Sequence, residues 1–441
     1  MKRLLNDYGM LFVLLALCAF FSVLTHSEQH PSGVGGAVVL ARDLKRELRA
    51  GATVMIAARG HAEDVAFAGR LRESAIEGGL DVLEVVAGEP SDARKALQRI
   101  AASGRRLDAI AGNQVTAAWL VFADLNTDFP ELGTPEIFQP GSYRWPNFLK
   151  RENLLNVSNQ ISVIAILAIG MTFVIITAGI DLSVGSLIAL SAVVATWFIR
   201  NHAGAESAGT VGMILSGAAG VAVCGVIGLF TGLMVTRFAV PPFIVTLGMM
   251  MVASGIAYIV AGGGSIYQVP DSFVRLGRGA DLAGLPNAVV LMLVLYGIAH
   301  VVLSRSRLGR HIYAVGGNPE AARLSGVPVN RVLLFAYVAS GVLAGLGGVL
   351  MASQLKSGSP TYGQMYELYT IAAVVVGGTS LAGGEGRMFG TLIGAFIIAV
   401  IQNGMNLTNV EPYTQKVVLG GVILMAVLMD RIKRRGWRSA A

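Results

Sequence analysis

Few residues in this 441-residue chain are placed to do chemistry. The six histidines (26, 30, 61, 202, 300, 311) are dispersed, and Cys18 and Cys224 each sit in an apolar run without a nearby His or Cys. That spacing spells neither a metal site nor a redox pair. The run GGTSLAGGEG, Gly377 to Gly386, lacks the Lys-Ser/Thr ending of a phosphate loop, and no Gly-Lys pair occurs anywhere. One acid is conspicuous. In TAGIDLSVGS, Thr177 to Ser186, Asp181 stands alone between two long apolar segments. As a cap, Asp181 or Ser183 would accept the free N–H groups of the following helix, with Gly179 releasing the preceding one. As an intramembrane acid, Asp181 would belong to a proton relay. The spans on either side of it hold no second acid.

The elements around these residues are those of a membrane protein. The chain is 54% hydrophobic and 14% charged, well below the roughly 25% charge of a soluble domain. Ten segments have about the length and apolarity of a membrane helix: 8–25, 159–178, 183–199, 210–236, 242–261, 288–304, 330–353, 367–382, 388–404 and 414–430. None alternates like a barrel strand. The first segment has the basic start of a signal peptide, but SVLTHSEQH offers no small-x-small cleavage site, so a retained helix over 1–25 is expected. With ten spans, the short segments on the side of the N-terminus carry fourteen Lys and Arg, against five on the other side. This bias places both termini in the cytoplasm and residues 26–158 outside it. The net charge of +7 sits at span ends and not in a nucleic-acid-binding patch.

Glycines four residues apart, Gly228/Gly232, Gly341/Gly345 and Gly390/Gly394, suggest closely packed helices. Gly377, Gly378, Gly383, Gly384 and Gly386 read as a tight turn or broken helix between the eighth and ninth spans, and Pro241-Pro242 opens the fifth. Between the first and second spans lies charge-rich sequence. Within it, 40–130 reads strand–helix–strand–helix–strand, an α/β pattern with a parallel sheet. Residues 131–158, with four prolines between 126 and 148, read as a linker back to the membrane.

Three stretches carry a resemblance: NQISVIAILAIGMTFVIITAGIDLSVGSLIALSA, GRHIYAVGGNPEAARLSGVPVNRV (Gly309 to Val332) and AVVVGGTSLAGGEGRMFGTLIGAFIIAVIQNGMNL (Ala373 to Leu407). In this order, they are similar to permease subunits of bacterial ABC sugar importers of the ribose/xylose/galactose type, from about Phe148 to Arg435. The resemblance implies an all-α polytopic fold of about ten helices, like that of cobalamin-importer permeases, over 159–430. It makes Gly179, Asp181, Ser183 and Gly185 a family signature turn. It also implies two cytoplasmic ATPases, a second permease subunit (a copy or a sister chain) and a periplasmic solute-binding protein as partners. ATP would be used by partner chains, with no cofactor or metal held here. By the same resemblance, Asn318, Pro319, Glu320, Ala321, Ala322, Arg323 and Gly326 form the segment seated in the ATPase. Asn318 is placed to cap a short helix there, with Pro319 at its first position.

RLDAIAGNQVTAAWLVFADL resembles one lobe of a periplasmic sugar-binding protein. Gln114 stands where such lobes often carry a sugar-contacting acid, so the insert is expected to be a degenerate or truncated lobe that docks the delivery partner or covers the outer mouth, the alternative being a decorative insertion without a role. Two other classes remain. A membrane enzyme needs clustered catalytic groups at depth, and only His300 falls within a span. A sensor needs an output domain, and the basic cytoplasmic tail, 431–441, is short.

Overall fold

The computed structural model describes residues 2–438, and the side chains of residues 9–428. Contacts divide the chain into two compact units, one comprising His26–Pro146 and the other the chain on either side of it. The expected basic tail, 431–441, lies outside the described side chains, and residues 439–441 lie outside the described residues.

The smaller unit is α/β. A two-stranded antiparallel ribbon, β1 (His26–Gln29) with β6 (Tyr143–Pro146), closes its ends. Four parallel strands form the sheet in the order β3 (Asp81–Ala87), β2 (Thr53–Ala58), β4 (Ala109–Gly112), β5 (Glu136–Phe138). Side chains alternate along β2. Val54, Ile56 and Ala58 meet α2 (Gly33–Glu47) and α3 (Ala62–Glu77), while Met55 and Ala57 face α4 (Pro90–Ala102). Both faces are covered, so β2 reads as a continuous apolar run. Three one-turn helices follow β4: α5 (Gln114–Ala117), α6 (Leu120–Ala123) and α7 (Leu125–Asp128). The unit is larger than the 40–130 segment read from the sequence. It gains α2 in front and β5 in what looked like linker.

The larger unit is helical. In it, α1 (Lys2–Leu24) precedes the insert, and α8 (Arg151–Ile176) begins eight residues before the expected span start at 159. There follow α9 (Val184–His202), α10 (Thr210–Arg237), α11 (Pro242–Ala261), the one-turn α12 (Arg275–Arg278) and α13 (Asn287–Arg305). The chain continues through α14 (Arg307–Gly317), α15 (Pro319–Leu324), α16 (Val329–Leu355), α17 (Tyr366–Val376), α18 (Met388–Leu407) and α19 (Pro412–Arg438). Among the described residues, seven helices are long and apolar enough to cross a membrane: α8, α9, α10, α11, α13, α16 and α18. Gly9–Leu24, Tyr366–Val376 and Pro412–Leu428 are shorter apolar helices. The helix within the span expected over 367–382 is shorter than read: α17 stops at Val376 after 11 residues, about 16 Å at 1.5 Å per residue, and 377–382 are not helical.

Packing turns on helix α16, which lies against α8, α9 and α10. The glycine pairs are the reason. A methyl on Gly228 would strike the Tyr337 carbonyl, one on Gly341 the Cys224 carbonyl, and one on Gly345 would stand 2.8 Å from the Val221 Cα. Backbone thus touches backbone along α10 and α16, the close approach that substitutes for a hydrophobic driving force within lipid. Gly248 in α11 has nothing within 4 Å of such a methyl. Gly228→Ala is therefore expected to destabilise the protein by about 1–3 kcal/mol, whereas Gly248→Ala should be neutral or stabilising. Thermal unfolding in detergent checks the pair, and equal melting temperatures would refute the packing account.

Candidate functional site

The signature turn reverses direction and re-enters the bundle. Helix α8 ends with paired bonds, Ala178 N to Ile175 O and Gly179 N to Val174 O, both at 2.9 Å. The left-handed residue is Ala178 (φ 62°) and not Gly179. Gly179 is required for another reason: a methyl there would sit 2.5 Å from the Tyr337 hydroxyl. Asp181 is buried (2% exposed) and bonded on both oxygens. Oδ1 accepts from Ser183 N (3.0 Å) and Ser183 Oγ (2.6 Å), and Oδ2 accepts from Ser340 Oγ (2.7 Å).

Neither Asp181 nor Ser183 caps α9 through its side chain; Ser183 is the N-cap residue, but its hydroxyl is spent on Asp181 and makes no capping bond. The carboxylate instead ties the turn to α16 through the Ser340 hydroxyl. Ser340 also packs on Gly170, six residues before the end of α8, so the turn has climbed back about 9 Å along that helix. Helix α9 therefore starts inside the bundle.

A second stretch does the same. Residues 356–365, KSGSPTYGQM, are not helical and join α16 to α17. Gly358 exchanges backbone bonds with Ile266 (2.8 and 2.9 Å) and packs on Ala192 and Thr196 of α9. Five residues on, Gly363 packs on Gly185 and Ile188, at the beginning of α9. The chain has thus run inward along most of α9. Met365 takes a left-handed conformation (φ 68°) and α17 begins. Gly185 in the first turn of α9 faces Glu367 in the first turn of α17, with no room for a Cβ. The sequence reading looked for a tight turn or broken helix at Gly377–Gly386 and at Pro241-Pro242, and passed over this stretch. The Gly/Pro-interrupted run after α16 was the available signal.

The Gly377–Gly386 loop forms a junction with α8 and α14. Gly384 N donates to Ile176 O (2.8 Å), and Tyr313 Oη donates to Gly386 O (2.6 Å). Gly383 (φ 82°) packs on Ala178 and on the Gly316 carbonyl. A methyl on Gly316 would strike the Ile176 carbonyl, whereas one on Gly317 meets nothing within 4 Å. Gly377 and Gly378 end α17, and Gly377 lies against Gly390 of α18. All three sequence motifs therefore meet here through backbone.

From this junction α14 leads to α15. Asn318 breaks the helix (φ −157°) and its Oδ1 accepts from Ala321 N at 3.0 Å. Gly326 (φ 80°) closes α15, with Gly326 N bonded to Arg323 O and Val327 N to Ala322 O. Ala322 is buried, while Pro319, Glu320, Ala321, Arg323 and Gly326 are exposed. Leu324, which the sequence reading passed over, is 90% exposed.

The family described as "Branched-chain amino acid transport system / permease component" matches residues 153–427. The chain belongs to this family. It is 45% identical over 293 residues to the ribose import permease protein RbsC of Escherichia coli (strain K12), covering 66% of this chain and 88% of that protein. RbsC of Bacillus subtilis (strain 168) is 43% identical over 298 residues, 65% of this chain and 87% of its own. The D-allose transport system permease protein AlsC of Escherichia coli (strain K12) is 38% identical over 292 residues, 66% and 87% of the two chains. No solved structure matches. The chain is thus a multi-pass membrane permease and not an enzyme, and the α/β unit lies outside the matched residues. Within the junction, Gly316→Ala should lower thermal stability by about 1–3 kcal/mol or more, while Gly317→Ala should leave it within about 0.5 kcal/mol. Indistinguishable melting curves would refute the described packing.

Proposed function

We propose that this chain is the membrane-spanning subunit of an ABC importer for a monosaccharide or similar small polar solute, powered by separate ATPase chains. The observation that carries this reading is α15. It projects from the junction with one buried residue, Ala322, and offers Leu324 and a loosely paired Glu320–Arg323 (3.4 Å) to a partner. An exposed ion pair adds little stability, and an isolated exposed leucine on a rigid short helix suits docking into another protein. Asn318, Pro319, Glu320, Ala321, Ala322, Arg323 and Gly326 form the segment that meets the ATPase. The distribution of Lys and Arg supports a cytoplasmic position for it and for both termini. On this reading the seven long and three shorter apolar helices make ten crossings of the bacterial inner membrane in a cobalamin-importer-like fold. Two permease subunits, alike or sister chains, pair with an ATPase dimer and receive solute from a periplasmic binding protein. The sugar class is drawn from the names of the relatives.

The α/β unit is then extracytoplasmic. In such a sheet, ligands bind beyond the carboxyl ends of the strands where the strand order reverses, here between β2 and β4. Asp64 lies there, 4% exposed. Its carboxylate is already occupied by Arg59 Nε (2.5 Å) and Asn113 Nδ2 (2.9 Å). A crevice closed by its own ion pair supports a docking or covering role for this partial lobe over independent sugar capture.

With the ATPase and binding protein co-expressed, Glu320→Lys or deletion of 318–326 should abolish solute uptake while leaving membrane insertion intact. Leu324→Ala should reduce uptake several-fold. Normal uptake from either of the first two variants removes the coupling assignment.

A further inference from the structure

Resting on the solute-permease reading, we propose that an amide-lined cavity in the larger unit is a recognition site for a neutral polyhydroxylated solute. The cavity, about 380 Å³, opens at the end of the unit opposite the α8–α14 junction, among α8, α16, α17, α18 and α19. Six carboxamides line it: Gln160, Gln354, Gln402, Asn403, Asn406 and Gln415. Its remaining walls are largely apolar, with Ile161, Ile164 and Met351, and Tyr366, the first residue of α17, also lines it. No described side chain that lines it is charged. The volume is of ligand-pocket size.

The amides divide into two sets. Asn403 and Asn153 exchange bonds in both directions (2.9 and 3.0 Å), Gln354 Nε2 donates to Asn159 O (2.9 Å), and Gln415 Nε2 donates to Asn406 Oδ1 (2.8 Å) and Val410 O (2.8 Å). These bonds fix one wall. Half-buried Gln402 and the half-buried Tyr366 hydroxyl have no bonding partner among the described residues, and Gln160 stands exposed at the rim, likewise unbonded. Each free carboxamide offers two donors and an acceptor, the complement of a sugar hydroxyl, which both donates and accepts. A carboxylate or ammonium group seated against these walls would meet no opposite charge. The chemistry therefore favours a neutral polyol over a zwitterionic amino acid. Ile161, Ile164 and the Tyr366 ring suit the C–H face of a sugar.

The backbone agrees. Non-helical chain at membrane depth persists only where it is buried in protein or lines a cavity, and transporters place solutes at the ends of interrupted helices. Residues 356–365 are such an interruption, and the helix that follows starts at the cavity wall with Tyr366.

Two experiments test the site. In the assembled transporter, Gln402→Leu and Gln160→Leu should each lower kcat/KM for the transported sugar at least tenfold while melting within a few degrees of the parent protein. Wild-type kinetics in both would overturn the proposal. In the purified full-length chain in nanodiscs, Gln402→Cys should react with a charged, water-soluble thiol reagent above the background of Cys18 and Cys224. At least one of D-ribose, D-allose and L-arabinose should slow that reaction at least threefold, and L-leucine should not. No protection by any of the sugars, or protection by leucine, would overturn the proposal. Labelling requires no transport, so an assembled wild-type complex that moves no sugar would defeat the importer reading while labelling still decides the cavity.

Discussion

Hydrocarbon offers no hydrogen bonds, so every peptide group that the larger unit places in the membrane must find its partner within the protein. Helices meet this demand automatically, but this chain leaves helical geometry at 177–183, 356–365 and 377–387. Each departure is met by a specific partner. Asp181 takes the Ser183 amide, Gly358 pairs with Ile266, and the Ile176 carbonyl receives Gly384 N. The irregular segments are therefore fixed features, held in one arrangement by bonds that lipid would not replace.

The same constraint explains why so much of the packing is backbone on backbone. Where α10 meets α16, and where α17 meets α18, one glycine lies against a carbonyl of the other helix. Gly390 abuts Gly377, and Gly394 abuts the Ala373 carbonyl. Such contacts are stiff, since no side-chain rotamer can absorb a displacement. Hydroxyls bond across the same close contacts: Ser191 Oγ donates to Gly345 O (2.6 Å), and Thr172 pairs with Thr391 (2.9 Å).

Much of this was legible in the sequence, for reasons that also mark its limits. Apolar runs give the helices, glycine spacing gives the close pairs, and Asn318-Pro319 gives the start of α15, because all are local signals. The reach of α17 was misread because VVVGGTSLAGG stays apolar after the helix has ended, and hydropathy does not register a left-handed glycine. The role of Asp181 was misread because its decisive partner, Ser340, is 159 residues away in the chain. The amide cavity draws Gln160, Gln354, Gln402 and Gln415 from four helices, and in each helix the carboxamide looks like an ordinary polar residue near a span end. In the α/β unit, β5 was hidden by its length of three residues among prolines.

Helix α17 joins these parts mechanically. Its first residue, Tyr366, stands at the wall of the amide cavity, and its last turn runs into Gly377 and Gly378 of the loop that binds α8 and α14. Eleven residues make a rod about 16 Å long, with glycine contacts to α18 on one side that forbid sliding. At its first turn Glu367 faces Gly185, the beginning of the other interrupted helix. A shift of α14 at the junction is thus opposed at Gly316 by the end of α8 and at Gly386 by the loop. It reaches the cavity only if α17 and α18 move as one body. A displacement of that kind would change the spacing between Gln402 on α18 and Gln160 on α8, the two carboxamides without internal partners. Such a displacement has to break or carry with it the Asn153–Asn403 and Thr172–Thr391 bonds between α8 and α18, so the same packing that fixes the glycine contacts also resists change at the cavity.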